Sequence, residues 1–244
     1  MSRLYYEHAG IKLFHGDCRS ILPEEKAGDC VLADPPYGIT SLYWDRWPTG
    51  WIGAIKSDSL WCFGKLRTFM DHREEFKGWK SSHDVVWEKH NGSGFKCDTF
   101  RQVHEQAAHF YRGRWDAIYH KVPLTNDAVK RTTRRKERPA HMGKIPNSTF
   151  KSMDGGPRQA RSVIYCRSTH GQAQNETEKP VTLLKLLLQY ACPPRGLVIV
   201  PFAGSGSELV AAKQLGLSAI GCELREEQCE FAAKRLDQEV LQFP

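Results

Sequence analysis

Short apolar segments that end at Gly, Pro or Asp alternate along this chain with segments long enough to form helices. Strands are predicted at 11–15, 29–33, 59–63, 83–88, near 105–111, 197–200 and 218–222. Helices are predicted between them, at 18–25, 65–77, 181–191, 207–215 and 226–238. Short runs rich in β-branched and aromatic residues suit strands that are buried on both faces. Because strand and helix alternate, we predict an α/β fold with a mostly parallel sheet and helices on both faces.

The length and composition narrow the class of protein further. A chain of 244 residues has room for one well-buried domain with a small inserted lobe. The mean hydropathy is −0.53, no apolar run approaches the ~18 residues of a spanning helix, and the first residues lack the apolar core of a signal peptide. The eight cysteines include no CxxC pair, and the ten histidines show no ligand spacing. We therefore predict a cytoplasmic protein with reduced thiols and neither a membrane span nor a bound metal.

The positive charge is concentrated in the middle of the chain. The net charge is +7, yet the stretch from Arg112 to His170 alone holds 14 Lys and Arg against four acidic residues. Such a stretch favours binding to a phosphate backbone, and a solvated loop is the alternative. Residues 112–172 show no sustained period, so we predict an inserted basic lobe there and a main domain made of 1–111 and 173–244. The predicted phosphate contacts are Lys130, Arg131, Arg134, Arg135, Lys136 and Arg138.

A glycine-rich turn lies between the strand predicted at 197–200 and the helix after it. Its sequence is Phe202-Ala203-Gly204-Ser205-Gly206. Glycine allows a tight backbone turn and the close approach of a ligand. Glu223 ends the next strand, where it is placed to bind ribose hydroxyls. The turn suits several nucleoside cofactors, and tight packing alone would also explain it.

A second motif, Asp34-Pro35-Pro36-Tyr37-Gly38, follows the strand predicted at 29–33. The exocyclic amine of a nucleobase is a poor nucleophile because its lone pair is delocalised into the ring. Acceptors aimed at its two N–H groups favour a pyramidal nitrogen, and Asp34 and the Pro35 carbonyl are such acceptors. Tyr37 offers a flat face for a base, worth roughly 1–3 kcal/mol of stacking. The alternative is an ordinary Pro-Pro turn capped by Asp.

With these motifs, the chain resembles the amino-group DNA methyltransferases that use S-adenosylmethionine, in the β-class order of catalytic motif, target-recognition region and cofactor motif. The matching segments run nearly end to end: Gly16-Asp17-Cys18, Asp34-Pro35-Pro36-Tyr37, Trp87-Glu88-Lys89-His90-Asn91, His104-Glu105, Glu178-Lys179-Pro180, Pro201 to Gly206, and Glu223. The resemblance implies a Rossmann-like methyltransferase fold, double-stranded DNA as the partner, and the basic insert as the target-recognition region. Dimers occur in that family, so a homodimer is compatible with it.

The resemblance also assigns roles to residues. Those implied in catalysis are Asp34, Pro35, Pro36 and Tyr37. Those implied in binding the cofactor are Asp17, which would contact its adenine, and Asp34, Lys179, Pro201, Phe202, Ala203, Gly204, Ser205, Gly206 and Glu223. An Asp at the head of the catalytic motif resembles adenine-N6 enzymes, whereas cytosine-N4 enzymes more often carry Ser there. A C5-cytosine enzyme is disfavoured because the chain has no Pro-Cys dipeptide to supply the thiolate.

One position departs from the family pattern. The cofactor motif usually opens with an Asp that helps to hold the methionine end of the cofactor, and this chain has Val200 there. The change could weaken cofactor affinity, be compensated by another acid, or mark a DNA-binding regulator that has lost turnover. A methyltransferase for another planar nitrogen, such as a glutamine side chain or an RNA base, is a further alternative, because similar turns serve those substrates.

Overall fold

The computed structural model describes residues 2–38, 41–93, 98, 100–135, 148–167 and 178–238. The chain forms two compact units, one made of Met1–Lys121 and Ser162–Pro244, the other of Val122–Arg161. The smaller unit is therefore shorter than the insert predicted at 112–172. The first and last residues of the predicted insert belong to the larger unit. For example, the Arg112 N–H donates to the Asp58 carbonyl at 3.0 Å.

The described residues form thirteen strands and six α-helices. The strands are β1 (Arg3–His8), β2 (Ile11–His15), β3 (Cys30–Ala33), β4 (Ser59–Gly64), β5 (Lys80–Ser93), β6 (Gln102–Tyr111), β7 (Leu124–Thr125), β8 (Arg131–Arg135), β9 (Ser148–Ser152), β10 (Arg158–Gln159), β11 (Val163–Tyr165), β12 (Leu197–Val200) and β13 (Ser218–Glu223). The helices are α1 (Cys18–Ile21), α2 (Trp51–Ala54), α3 (Leu66–Asp71), α4 (Val181–Ala191), α5 (Ser207–Gln214) and α6 (Glu226–Asp237). None of the helices in this described part has the length and apolar character needed to cross a bilayer.

The larger unit is built on a nine-stranded sheet with the order β1-β2-β13-β12-β3-β4-β6-β5-β11. The five pairings β2–β13, β13–β12, β12–β3, β3–β4 and β5–β11 are parallel, and the other three are antiparallel. The mostly parallel sheet predicted from the sequence is confirmed. In the smaller unit, β7 pairs with β10 and β8 with β9, both antiparallel.

Several local predictions need correction. The helices predicted at 18–25 and 65–77 are each a short α-helix followed by a 3-10 turn, at Leu22–Glu24 and Arg73–Phe76. Strand β1 and helix α2 were not predicted. The smaller unit contains strands of two to five residues, which are too short to produce a sustained period.

Apolar side chains cover both faces of the sheet. Along β12, Val198 and Val200 face one side and Ile199 the other, as the two-residue period of a strand requires. The first side packs against α4, α5 and α6, and the second against α1 and α2. Four leucines of α4, 183, 184, 187 and 188, are fully or almost fully buried. Each contributes roughly 1.5–3 kcal/mol by leaving water, so the two apolar layers hold the sheet in place.

The order of the strands reverses between β12 and β3. From β12 the chain crosses through α5 to β13 on one side, and from β3 it crosses through α2 to β4 on the other. In open α/β sheets, ligands bind outside the carboxyl ends of the strands at such a reversal. Asp34 follows β3 and Pro201 follows β12. The topology therefore brings the two sequence motifs to the same edge of the sheet.

A buried histidine ties β4, β5 and β6 together. His109 on β6 is fully buried, and its ring lies within hydrogen-bond distance of the Ser59 hydroxyl (3.1 Å) and the Ser82 hydroxyl (2.7 Å). Its ring centroid is 4.8 Å from that of Trp61. Burial lowers the pKa of His109 to about 3. The folded protein therefore holds this imidazole neutral at pH 7.

The unfolding free energy should fall as the pH is lowered from about 6.5 towards about 3. In that window the unfolded chain binds a proton at His109 and the folded chain does not, so protonation favours unfolding. Denaturant unfolding at several pH values should show the wild type losing about 1.4 kcal/mol per pH unit more than the variant His109→Gln, which keeps hydrogen-bonding capacity without the titration. Parallel pH profiles would contradict this role for His109.

Candidate active site

A cavity of about 280 Å³ opens at the carboxyl edge of the sheet in the larger unit. This volume is close to the lower end of the range for small-molecule sites, roughly 300–1,000 Å³. Its walls come mainly from the segments 16–19, 34–37, 201–205 and 222–225. The Asp34 motif and the glycine turn, which lie far apart in the sequence, line one common cavity.

The Asp34 carboxylate is held on both of its oxygens. The Tyr37 hydroxyl donates to Oδ1 at 2.7 Å, and the Lys179 ammonium donates to Oδ2 at 2.5 Å. Burial raises the pKa of Asp34, Lys179 opposes that rise, and the nearby charge of Glu105 adds to it. Each carboxylate oxygen has two lone pairs, so Asp34 can still accept a hydrogen bond from a ligand.

Lys179 is the centre of a buried charge network. It is only 3 % exposed, and its ammonium lies 3.4 Å from Glu105 Oε2 in addition to its bond to Asp34. Glu105 also forms an ion pair with Lys89. Burial opposes the charged form of Glu105, but Lys179 and Lys89 outweigh it and lower its pKa to about 2. Lys89 and Glu105 occur in matched motif segments but were not among the predicted site residues, because only the fold brings them close to Lys179.

The glycine turn is anchored to the end of β13. The Gly204 N–H donates to Glu223 Oε2, and the Arg225 N–H donates to Oε1, both at 2.8 Å. These bonds fix the carboxylate that was predicted to bind ribose, with lone pairs left for a ligand. Gly206 has φ +84°, and a Cβ there would lie 2.8 Å from the Ala232 Cβ on α6. Close packing of α6 therefore also requires glycine at position 206.

The structure places the remaining predicted residues as follows. Asp17 caps α1 by accepting from the Arg19 N–H at 2.9 Å, and its ion pair with Arg19 lowers its pKa. Lys130, Arg131 and Arg134 are exposed in the smaller unit. Arg135 ends β8, whereas Lys136 and Arg138 lie outside the described residues. No group of three or more His, Cys, Asp or Glu within the described ranges is arranged to hold a metal ion.

Comparison with known proteins identifies the family. The family model for N6/N4 DNA methylases matches residues 28–235. The chain belongs to this family of DNA methylases. It is 24% identical over 243 residues to the type II methyltransferase M1.MboII of Moraxella bovis, covering 88% of this chain and 92% of that protein. The type II methyltransferase M.ScaI of Streptomyces caespitosus is 20% identical, covering 98% of this chain and 85% of that protein.

Solved structures show the same fold. The complex of M1.HpyAVI with S-adenosylmethionine has a TM-score of 0.62 at 19% identity, covering 92% of this chain and 99% of that one. The cytosine-N4-specific PvuII DNA methyltransferase has a TM-score of 0.66 at 13% identity, covering 98% and 91%. The predicted Rossmann-like methyltransferase fold is therefore confirmed. The methylase uses S-adenosylmethionine to methylate amino groups in DNA.

The cavity has the chemistry that this cofactor needs. Seven carboxyl groups and five Lys or Arg side chains line it, so its walls carry an excess of acidic groups. S-adenosylmethionine bears a sulfonium, an ammonium and one carboxylate, and is a net cation. The carboxylate of Glu223, predicted to bind ribose, lines the cavity and is fixed by two backbone N–H groups, and the backbone of the glycine turn allows close approach. The residues of the methylase therefore fit the cofactor.

Replacing Lys179 with methionine should lower the unfolding free energy by roughly 3–5 kcal/mol, because Asp34 and Glu105 would lose a buried partner. Denaturant unfolding of the purified protein measures this. The matched control is Lys185→Met on α4, where the lysine donates to the Gln214 side chain at 3.4 Å. Equal losses in both variants would show that the buried ion pairs of Lys179 are not what stabilises this site.

Proposed function

We propose that this methylase modifies adenine at N6 in duplex DNA, by direct transfer without a covalent enzyme intermediate. The observation that carries the proposal is the Asp34 carboxylate, oriented by Tyr37 and Lys179 on the wall of the cavity that the glycine turn also lines. An aspartate at the head of this motif is the form that resembles adenine-N6 enzymes. The names of the two type II relatives suit a role in restriction–modification.

In this proposal, Asp34 and Pro35 position the amine. Asp34 accepts from one N–H of the amino group and the Pro35 carbonyl accepts from the other, which favours a pyramidal nitrogen with a free lone pair. The ring nitrogen of Pro35 carries no N–H that could compete with the amine for this carbonyl. S-adenosylmethionine supplies the electrophilic methyl group when it is bound. Asp34 need not be a strong base, because the methylated ammonium is very acidic and loses its proton readily.

The target base must leave the duplex, because its amine cannot enter the cavity while the base is stacked. Unstacking costs a few kcal/mol, which contacts in the pocket offset. Tyr37 supports this step, since its hydroxyl is anchored to Asp34 and its half-buried ring lines the cavity. Orientation of the amine and the two acceptors then lower the barrier to transfer.

In the proposed interface, basic side chains of the smaller unit bind the DNA backbone. Lys130, Arg131 and Arg134 are exposed there, and Arg131 and Arg134 belong to strand β8. Arg135, Lys136 and Arg138 are proposed to extend this basic segment. Contacts of this kind position the enzyme on DNA without reading its sequence.

The variant Asp34→Asn should transfer methyl groups at least ~100-fold more slowly. One acceptor oxygen is replaced by an NH2 group, which cannot accept a hydrogen bond from the target amine. Its DNA affinity should stay within about 3-fold of the wild type, since Asp34 makes no phosphate contact. The control is Asp71→Asn, an exposed aspartate on α3. Mass spectrometry of nucleosides from treated DNA measures both rate and product. Full activity of Asp34→Asn would contradict the catalytic role of Asp34. N4-methylcytosine as the product would show that the target base is cytosine and not adenine.

The double variant Arg131→Ala/Arg134→Ala should weaken DNA binding and reduce the log–log salt slope by about 0.9 for each lost phosphate contact. Fluorescence anisotropy at several salt concentrations gives the slope. Arg67→Ala/Arg73→Ala removes the same charge from exposed sites of the larger unit and serves as the control. An unchanged slope in the first variant would exclude these two arginines from the DNA interface.

A further inference from the structure

Position 200 provides no charge to the cofactor cavity. Val200 ends β12, is fully buried, and packs in the apolar cluster that contains Ala203 and Leu209. The aspartate that the family pattern expects at this position is therefore missing. The residue next to Leu209 is Glu208, the second residue of α5. Val200 and α5 lie on the same face of the sheet, joined by the glycine turn.

Glu208 is a buried acid on the wall of this cavity. It is only 4 % exposed and lines the same cavity as Asp34 and the glycine turn. Burying a carboxylate is costly unless a cation or hydrogen-bond donors compensate it. A glutamate at this place in the first turn of α5 is therefore either held neutral or paired with a cation.

The cations that face Glu208 already bind other carboxylates. Lys179, which precedes α4, bonds to Asp34, and Arg235 on α6 pairs with Glu178 at 2.8 Å. Asp34, which follows β3, adds a like charge. Among the described residues, no Lys or Arg nitrogen lies within ion-pair distance of the Glu208 carboxylate. A further positive group beside Glu208 would therefore be electrostatically favourable.

We propose that Glu208 binds the α-ammonium group in the methionine part of S-adenosylmethionine and supplies the carboxylate that Val200 lacks. The inference rests on the cofactor of the family and is independent of which base is methylated. In this proposal the carboxylate that binds the methionine part of the cofactor lies on α5, whereas the family pattern places it at the end of β12.

The protonation of Glu208 supports this arrangement. Burial raises the pKa of Glu208 to about 8 and the charge of Asp34 adds to the rise, whereas a hydrogen bond from its own backbone, Lys179 and Arg235 oppose it. At pH 7 the free protein therefore holds this carboxyl mainly protonated. An ammonium beside it favours the ionised form, so cofactor binding at pH 7 should release close to one proton.

Calorimetry with the full chain at pH 7 tests the proposal with three probes. S-adenosylmethionine and S-adenosylhomocysteine both carry the α-ammonium, whereas 5′-methylthioadenosine lacks the whole amino-acid part. In Glu208→Gln, the first two should bind at least ~10-fold more weakly, the cost expected for one charged hydrogen bond, and 5′-methylthioadenosine should bind as in the wild type. The control Glu230→Gln removes an exposed carboxylate of α6 and should change none of the three.

Other results would overturn the proposal. Equal weakening of all three probes would make Glu208 a structural residue, and weakening of S-adenosylmethionine alone would place its carboxylate at the sulfonium. Unchanged binding of all three would exclude Glu208 from the cofactor site.

Proton release by the wild type, measured in two buffers of different ionisation enthalpy, needs no variant. It should occur with S-adenosylhomocysteine and not with 5′-methylthioadenosine, and equal release with both would also overturn the assignment.

Discussion

The candidate active site depends on one buried cation. Lys179 sits between Asp34 and Glu105, and Glu105 is held in turn by Lys89. This arrangement allows several carboxylates to stay close together in a cavity where burial alone would favour their neutral forms. It also orients Asp34, because a bond on each oxygen leaves the carboxylate little freedom to rotate. The proposed catalytic motif is thus part of a charge network that includes the segment before α4 and strands β5 and β6.

The sheet supplies the second constraint. Because the strand order reverses between β12 and β3, the chain leaves the two strands in opposite directions and a crevice opens between their carboxyl ends. Asp34 and Pro201, which precedes the glycine turn, are the first residues beyond those ends. Glu223 joins them because β13 lies beside β12 and its carboxylate is bonded to the Gly204 amide. The residues proposed for catalysis and cofactor binding come from distant parts of the sequence, and all of them lie in the larger unit.

Much of this could be predicted before any coordinates. The strands at 11–15, 197–200 and 218–222 were placed to within one residue, since each is a short apolar run closed by a turn residue. The helices predicted at 18–25 and 65–77 were less accurate. Each is a short α-helix followed by a 3-10 turn, and the spacing of apolar residues does not distinguish the two. The smaller compact unit is shorter than the insert predicted at 112–172, because β11, a strand of only three residues, pairs with β5 in the main sheet and residues before Val122 also belong to the larger unit.

The sequence by itself determined the fold class, the order of the motifs and the chemistry of Asp34, because local residue types and spacing encode strands, tight turns and hydrogen-bonding groups. Only the tertiary structure decided which charges face one another. The partners of Lys179 are Asp34 and Glu105. Glu208 lines a cavity whose other residues are distant from it in the sequence, so its proposed role could not be predicted from its neighbours in the chain. Burial and charge pairing are properties of the packed chain, and no local pattern carries them.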